Sequence, residues 1–273
     1  MAKTLVVGAN GTVGSNLVRL LAAKGETVLK ATSKQAHKPD EVHLNLATGE
    51  GRAAAFAGIS RAFLLSPPGF TNQDELMIPP IDAAKAAGVA KIVLMTAMGA
   101  NADENSPMRK AELHLERSGI AYNIVRPNWF MQNFNSYWIA SILADGKIRL
   151  PVGTAKGSFI DARDIAAVAG ELLLANRFDG RAFDLTGSEA LDHDEVAAIL
   201  TRETGKKIAF EDIAPEAMLQ GPHRFGRGQA FFAAAREAAA RLAVPFGWRM
   251  AFVPGVGHSN GGMAPRAVEM LFD

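Results

Sequence analysis

Cysteine is absent from the 273-residue sequence, which excludes disulfides, thiolate metal sites and cysteine nucleophiles together. The formal net charge is only +1 and no basic tract is present, so a nucleic-acid partner is not expected. No apolar run approaches the roughly 18 residues of a membrane-spanning helix. Because no signal peptide precedes the first apolar strand, we expect a cytoplasmic protein with no membrane partner.

The histidines lack the spacing of a metal site, since neither HxxxH nor HExxH occurs. All six are separate in the chain: His37, His43, His114, His193, His223 and His258. We therefore predict no metal site. Asp161 and Asp164 are interpreted as the capped start of a helix, and the acidic residues around His193 as another helix start that favours the helix dipole.

Short apolar runs alternate with helical patterns from the start of the chain. The predicted strands are Thr4–Val7, Thr27–Ala31, Val42–Leu44, Ala62–Leu65, Lys91–Met95 and Ala121–Val125. The predicted helices are Ser15–Lys24, one ending at Ala87 that Pro79 and Pro80 either kink or begin, and Met108–Ser118. Such alternation predicts an α/β fold with a doubly wound, Rossmann-type parallel sheet. We divide the chain into a dinucleotide-binding domain over 1–150, including later interleaved segments, a smaller α/β substrate-side region over 151–218, and a tail over 219–273.

A glycine turn follows the first strand directly. It spans Gly8–Gly14 and has the spacing GxxGxxG, with Gly8, Gly11 and Gly14 as its glycines. Glycine lets the backbone approach a pyrophosphate whose charge then lies at a helix N-terminus, whereas Gly14 is expected to allow close packing of helix and strand. The turn therefore predicts dinucleotide binding by Gly8, Asn10, Gly11, Thr12, Val13 and Gly14.

The second strand ends in a stretch without an acid, Lys30–Lys34. NAD-preferring relatives of this fold place a carboxylate there for the ribose 2′-hydroxyl. Ser33 and Lys34 instead can donate hydrogen bonds and positive charge to a 2′-phosphate, which favours NADP(H) over NAD(H). The alternative for Lys34 is a solvated surface lysine. Asn45, which ends the third strand, is interpreted either as an adenine contact or as a turn residue.

With these residues identified, the chain resembles the atypical short-chain dehydrogenases of the NmrA-like family. The resemblance extends over about residues 3–214 and rests on Gly8–Gly14, Phe63–Pro68, Ser118–Pro127, Trp129–Asn133, Phe159–Ala166 and Leu185–Gly187. That family contains NAD(P)H-dependent quinone, azo-dye and triphenylmethane-dye reductases. It also contains redox-sensing regulators that bind a dinucleotide without turning it over.

The resemblance implies roles for two further sets of residues. Those expected along the central ribose and the nicotinamide are Leu65, Ser66, Pro67, Thr96, Pro127 and Asn128. Those expected to line the substrate pocket are Phe70, Trp129, Phe130 and Asn133. For Trp129 and Phe130, ordinary core packing is an equal alternative.

The Tyr-x-x-x-Lys pair of alcohol-oxidising short-chain dehydrogenases is missing. The only tyrosines, Tyr122 and Tyr137, are followed four residues later by Arg126 and Ser141. We assign no catalytic residue and predict hydride transfer from NADPH to a quinone-like or dye-like small molecule, which can take its proton from water. The alternative is a non-catalytic NADP(H)-binding redox sensor acting through a protein partner, and a homodimer is also left open.

The tail does not continue the family pattern. The family resemblance stops after about Pro215. Gln220–Asp273 instead resembles the end of an α/β-hydrolase, as if fused to the preceding domain, and contains one G-x-S-x-G, Gly257–Gly261. A nucleophile elbow needs a later histidine and acid, and no histidine follows Ser259. We therefore expect His258 and Ser259 to be non-catalytic.

Overall fold

The structure is a computed structural model that describes residues 2–214. The hydrolase-like segment with His258 and Ser259 lies outside these residues. Contacts divide the chain into two compact units. The first comprises Met1–Asn133 and Gly157–Leu191, and the second comprises Phe134–Lys156 and the described residues from Asp192 onward. Because these units are defined by contacts within the fold, the functional division at residues 150 and 218 stays a prediction.

A parallel seven-stranded sheet forms the centre of the first unit, with strand order β3-β2-β1-β4-β5-β6-β8. Its strands are β1 (Lys3–Val6), β2 (Thr27–Thr32), β3 (Glu41–His43), β4 (Arg61–Leu65), β5 (Lys91–Met95), β6 (Ala121–Pro127) and β8 (Arg181–Leu185). β2 pairs with one edge of β1, and β3 pairs with β2. The chain then crosses back, so that β4 pairs with the other edge of β1. This confirms the predicted doubly wound fold and places its switch point between β1 and β4.

Helices cover both faces of this sheet: α1 (Thr12–Ala23), α2 (Arg52–Phe56), α3 (Gln73–Ala86), α4 (Pro107–Arg117) and α6 (Ala162–Leu174). One core cluster lies between the sheet and α2, α3 and α4, and the other lies between the sheet and the pair α1 and α6. Neighbouring strand residues such as Val6 and Leu5 belong to opposite clusters. Burial on both faces explains why the central strands are apolar runs without alternation.

The helix boundaries differ from the predictions in two informative places. α1 begins at Thr12 rather than at Ser15 because Gly11 is its N-cap and donates its N–H to the Gly8 carbonyl at 2.8 Å. The prolines Pro79 and Pro80 do not begin α3, which starts at Gln73 and continues through both of them. The predicted helix start at Asp161 is confirmed, since its carboxylate caps α6 by accepting from the Arg163 N–H at 2.7 Å.

The described part of the second unit contains α5 (Ile139–Asp145), β7 (Lys147–Leu150), α7 (His193–Thr204) and β9 (Ala209–Asp212). β7 and β9 form a two-stranded parallel sheet. Asp192 and Glu195 form a reciprocal capping box at the start of α7, as the acidic helix start predicts. His193 is buried, and the centroid of its ring lies 5.3 Å from the centroid of the Phe210 ring. Throughout residues 2–214, every helix is too short or too polar to span a lipid bilayer.

Candidate functional site

A cleft of about 490 Å³ lies at the carboxyl ends of β1 and β2, beside the switch point of the sheet. Its walls come from the ends of the strands and from the loops that follow them. The lining residues are Val7–Gly11, Ala31–Lys34, Leu44–Ala47, Pro67, Phe70 and Leu76. The fold therefore brings the glycine turn, Ser33, Lys34 and Asn45 to one cavity although they are far apart in the chain.

The glycine turn forms the floor of this cleft. Gly8 has φ +71°, a left-handed conformation that favours glycine. A Cβ at Gly14 would lie 2.1 Å from the Gly8 carbonyl oxygen, so this glycine serves close packing, as expected from the sequence. Thr12 is exposed at the start of α1, whereas Val13 is buried in the core. The N-cap Gly11 provides no side-chain hydrogen bond, so the first N–H groups of α1 are not capped by it.

Lys34 is the single charged side chain among the residues that line the cleft. Its backbone is held from two directions. The Lys34 N–H donates to the Thr32 hydroxyl at 3.2 Å, and its carbonyl lies 2.9 Å from Nδ1 of His43. Nearby Lys30 is paired with Asp40 at 2.6 Å, whereas the Lys34 ammonium forms no ion pair with any residue in the described range. The cleft therefore has one positively charged wall that is not neutralised by an adjacent carboxylate.

Asn45 has a clear role in the backbone of its turn. Its side-chain oxygen accepts hydrogen bonds from the N–H groups of Ala47 at 3.0 Å and Thr48 at 3.2 Å. The turn role is therefore observed. The adenine contact stays a prediction, and it would fall to the side-chain amide nitrogen because the oxygen is already used.

A second, smaller cavity of about 200 Å³ shares Pro67 and Phe70 with the first. It lies between the loop after β4, the end of β5, and helices α3 and α4. Its lining residues are Ser66–Phe70, Gln73, Met77, Met95, Thr96, Met108 and Ala111. Leu65 contributes to neither lining, but it lies against the turn, with its Cδ2 3.1 Å from where a Cβ at Gly8 would be. Sequence reasoning identified Ser66, Pro67, Phe70 and Thr96 and missed Gln73 and the three methionines.

Thr96 is connected to a buried carboxylate behind the cavity wall. Its hydroxyl donates to Glu112, which is fully buried and also accepts from Arg126 and Arg109. Burial alone would raise the pKa of Glu112, but the hydrogen bonds from Arg126, Thr96 and Arg109 outweigh it and hold that pKa below its ordinary value. Sequence reasoning missed this network. The sequence indication of this network is the spacing of Arg109, Glu112 and Glu116, which places the three charged side chains on one face of α4.

The residues after β6 occupy a different part of the carboxyl edge. Pro127 ends β6, and Asn128 accepts the Trp129 N–H on its side-chain oxygen at 2.8 Å. Trp129 is 56% exposed, so it is not a core residue, whereas Phe130 packs against the core cluster that contains α1 and α6. Asn133 is buried. None of these residues lines either of the two cavities, so their predicted cofactor and substrate roles stay predictions.

Neither tyrosine lines either of the two cavities. Tyr122 lies near the amino end of β6, and desolvation together with the charge of Glu116 raises its pKa. Tyr137 belongs to the second unit and is 53% exposed. Residues 2–214 likewise contain no group of three or more His, Asp or Glu side chains arranged to hold a metal ion.

Fold and site together define a dinucleotide-binding Rossmann-type protein. The NAD(P)H-binding family matches residues 8–175, and the chain belongs to that family, which confirms the predicted relationship. The chain is 34% identical over 247 residues to an NAD(P)H azoreductase of Xenophilus azovorans, with 85% of each chain covered.

Two solved structures share the fold. The triphenylmethane reductase of Citrobacter sp. complexed with NADP(H) gives a TM-score of 0.67 at 19% identity, covering 89% of this chain and 84% of that one. The NADPH-dependent quinone oxidoreductase QOR2 of Escherichia coli complexed with NADPH gives 0.67 at 21% identity, covering 86% and 82%. Proteins that this chain resembles in sequence or fold thus include an azoreductase, a triphenylmethane reductase and a quinone oxidoreductase.

Proposed function

We propose that this protein is an NADPH-dependent reductase that transfers a hydride to a quinone-like or azo-dye-like electron acceptor. The observation that carries the proposal is the pairing of two adjacent cavities. One is a cleft that is lined by the glycine turn and by a single charged side chain, Lys34. The other is a small, mainly apolar cavity at the ends of β4 and β5. The 34% identity to an azoreductase over most of both chains supports the same reaction class.

The cleft fits a dinucleotide phosphate by its shape and its charge. Gly8 and Gly11 leave the floor without side chains, and a Cβ at Gly11 would already lie 3.2 Å from the Gly8 oxygen. The start of α1 would hold the pyrophosphate with its uncapped N–H groups. Ser33 and Lys34 would hold the 2′-phosphate, because no acid lines the cleft to repel it.

Hydride transfer to a quinone or azo group asks little acid–base chemistry of the protein. When bound, NADPH supplies the hydride. The chain's own part is to orient the electron acceptor in a pocket beside the cofactor. Phe70 and Pro67 line both cavities and would form the boundary between cofactor and electron acceptor. The proton on the reduced product would come from water.

Nucleotide preference is tested by replacing Lys34. Lys34→Ala is expected to raise the Kd for NADPH about tenfold, since one exposed charge-assisted hydrogen bond to phosphate is lost, and to leave the Kd for NADH unchanged. The matched control is Lys38→Ala, which removes a lysine that pairs with Glu41 at 3.5 Å and lies outside the cleft. Equal loss of NADPH and NADH affinity in Lys34→Ala would contradict the assignment of NADP preference.

Activity is tested by mixing the protein and NADPH with benzoquinone, naphthoquinone and azo dyes. We expect protein-dependent loss of the nicotinamide absorbance band with at least one of them. Tight NADPH binding without any consumption would overturn the reductase proposal and would favour the redox sensor.

A further inference from the structure

The direction of the hydrogen bond between Thr96 and Glu112 determines what the smaller cavity can recognise. Oε1 of Glu112 accepts from the Thr96 hydroxyl at 2.6 Å and from Nε of Arg126 at 2.9 Å. Oε2 accepts from Nη2 of Arg126 at 2.7 Å and from Nη1 of Arg109 at 3.0 Å. Both oxygens of the carboxylate are therefore fully engaged by donors.

Glu112 is ionised at neutral pH because two guanidinium groups and the Thr96 hydroxyl stabilise its charged form and hold its pKa low. An ionised carboxylate can only accept hydrogen bonds. The Thr96 proton must therefore point to Glu112, in a short charge-assisted bond. Thr96 lines the cavity, and its oxygen keeps a lone pair, but no proton, for a ligand bound there.

The two other polar side chains of the cavity each commit one proton to a backbone carbonyl. The Ser66 hydroxyl donates to the Pro67 carbonyl at 3.3 Å, and the Gln73 amide donates one of its two N–H groups to the Phe70 carbonyl at 2.5 Å. The rest of the lining is dominated by methionine, proline and phenylalanine side chains. Thioether and aromatic walls favour a flat, polarisable ligand, and a Thr96 oxygen that can only accept favours one that carries a hydrogen-bond donor.

We propose that this cavity binds the donor-bearing ring of an aromatic electron acceptor, such as an aryl amine or phenol. Thr96 determines the specificity by accepting a hydrogen bond from that N–H or O–H group. Glu112 is a positioning residue that fixes the direction of the Thr96 hydroxyl. This inference rests on the proposed reductase function and adds the chemical class of the molecule that is reduced.

The test compares two dyes that differ in one donor, 4-aminoazobenzene and 4-(dimethylamino)azobenzene. Their binding to the full-length protein saturated with NADP⁺, where no turnover occurs, is measured by difference absorbance. We expect the amino dye to bind about fivefold to tenfold more tightly, the effect of one hydrogen bond. Thr96→Val is expected to abolish this preference, and Thr96→Ser, which keeps the hydroxyl, is expected to retain it.

Glu112→Gln tests the positioning role. An amide group has one acceptor atom, and the place of Oε2 faces two arginine nitrogens that can only donate. The place of Oε1 faces one such nitrogen, Nε of Arg126, and the Thr96 hydroxyl, which can also accept. The amide oxygen is expected there, so that Nε2 faces Thr96 and donates to it. The Thr96 proton then points into the cavity, and the preference for the amino dye falls to one or below. If this variant does not fold, the Val and Ser variants of Thr96 decide the question.

The outcomes separate the inference from the function on which it rests. If both dyes bind and the preference persists in Thr96→Val, it arises from size rather than from a hydrogen bond. The inference is then wrong and the reductase proposal stands. If neither dye binds and neither is reduced with NADPH, while NADPH itself binds, azo dyes are not substrates and both proposals fall for this class.

Discussion

Replacing Gly14 with alanine is expected to damage the nucleotide-binding turn through the backbone itself. A Cβ at position 14 would lie 2.1 Å from the Gly8 carbonyl oxygen and 2.6 Å from its carbon. Carbon–oxygen contacts normally begin at about 3.3 Å, so the start of α1 must move away from the end of β1 by roughly 1 Å. Both groups belong to the main chain, and no flexible side chain can absorb this shift.

The expected cost follows from two opposing effects. Overpacking of this kind costs about 3 kcal/mol, whereas alanine in place of glycine within a helix recovers about 1 kcal/mol. We therefore expect Gly14→Ala to lower the free energy of unfolding by about 2 kcal/mol. The NADPH affinity is expected to fall at least tenfold, because the displaced N–H groups of α1 no longer converge on the pyrophosphate.

The matched control in the same turn is Gly11→Ala. Gly11 has φ −84°, which alanine tolerates, and a Cβ there would lie 3.2 Å from the same carbonyl oxygen. Its unfolding free energy is expected to change by less than about 1 kcal/mol, although the added methyl group weakens NADPH binding. Urea unfolding and NADPH titration measure the two effects separately. Equal stability of the two variants would refute the reasoning from close backbone approach.

Three further predictions concern charged groups that hold this unit together. Glu112→Ala leaves the buried guanidinium of Arg126 with only a longer ion pair to Asp184, at 3.9 Å, so we expect a loss of about 3 kcal/mol in urea unfolding. Since the folded pKa of Glu112 lies below 4.5, its stabilisation is present above pH 4.5 and lost as the pH falls through the folded value. If the unaltered protein and Glu112→Ala lost the same unfolding free energy on acidification, this prediction would be contradicted. Asp161→Ala is expected to cost about 1 kcal/mol as a lost helix cap, with Asp161→Asn as the control that keeps it. The hydrogen bond from the Arg163 side chain lowers the pKa of Asp161 from 3.8 to about 2, so the part of its stabilisation that depends on its charge should be lost as the pH falls from 3.8 to about 2. Asp179→Ala removes the carboxylate that pairs with buried Lys91, for an expected cost of about 3 kcal/mol, and adding Lys91→Met should restore most of it.

The fold could be predicted from local patterns because each pattern had a single structural solution. β1, with both faces buried, is followed immediately by the glycine turn and by a helix with Leu17 and Leu21 on one side. Parallel strands then had to be joined through helices, which brings Gly8, Lys34 and Asn45 to the same edge. For this reason the sequence could indicate that these three residues lie at one edge of the sheet, and all three line the larger cleft.

The smaller cavity could not be predicted in the same way because it depends on tertiary contacts. Thr96, Glu112 and Arg126 are separated by more than ten residues at each step, and their meeting depends on how α4 packs beside β5 and β6. Similarly, the start of α3 before its two prolines follows from burial of Leu76 and Met77, which outweighs the poor helix propensity of proline. Local sequence carries the signal for the turn but only a weak one for these long-range contacts.

The most direct test of the central claim is a single-turnover measurement on the protein–NADPH complex. Rapid mixing with an azo dye or a quinone is expected to oxidise the bound NADPH in one protein-dependent phase. Deuterium at the transferred position of the nicotinamide is expected to slow that phase. If the bound NADPH stays reduced with every electron acceptor tried, or oxidises at the rate seen without protein, the protein is not a reductase of this class.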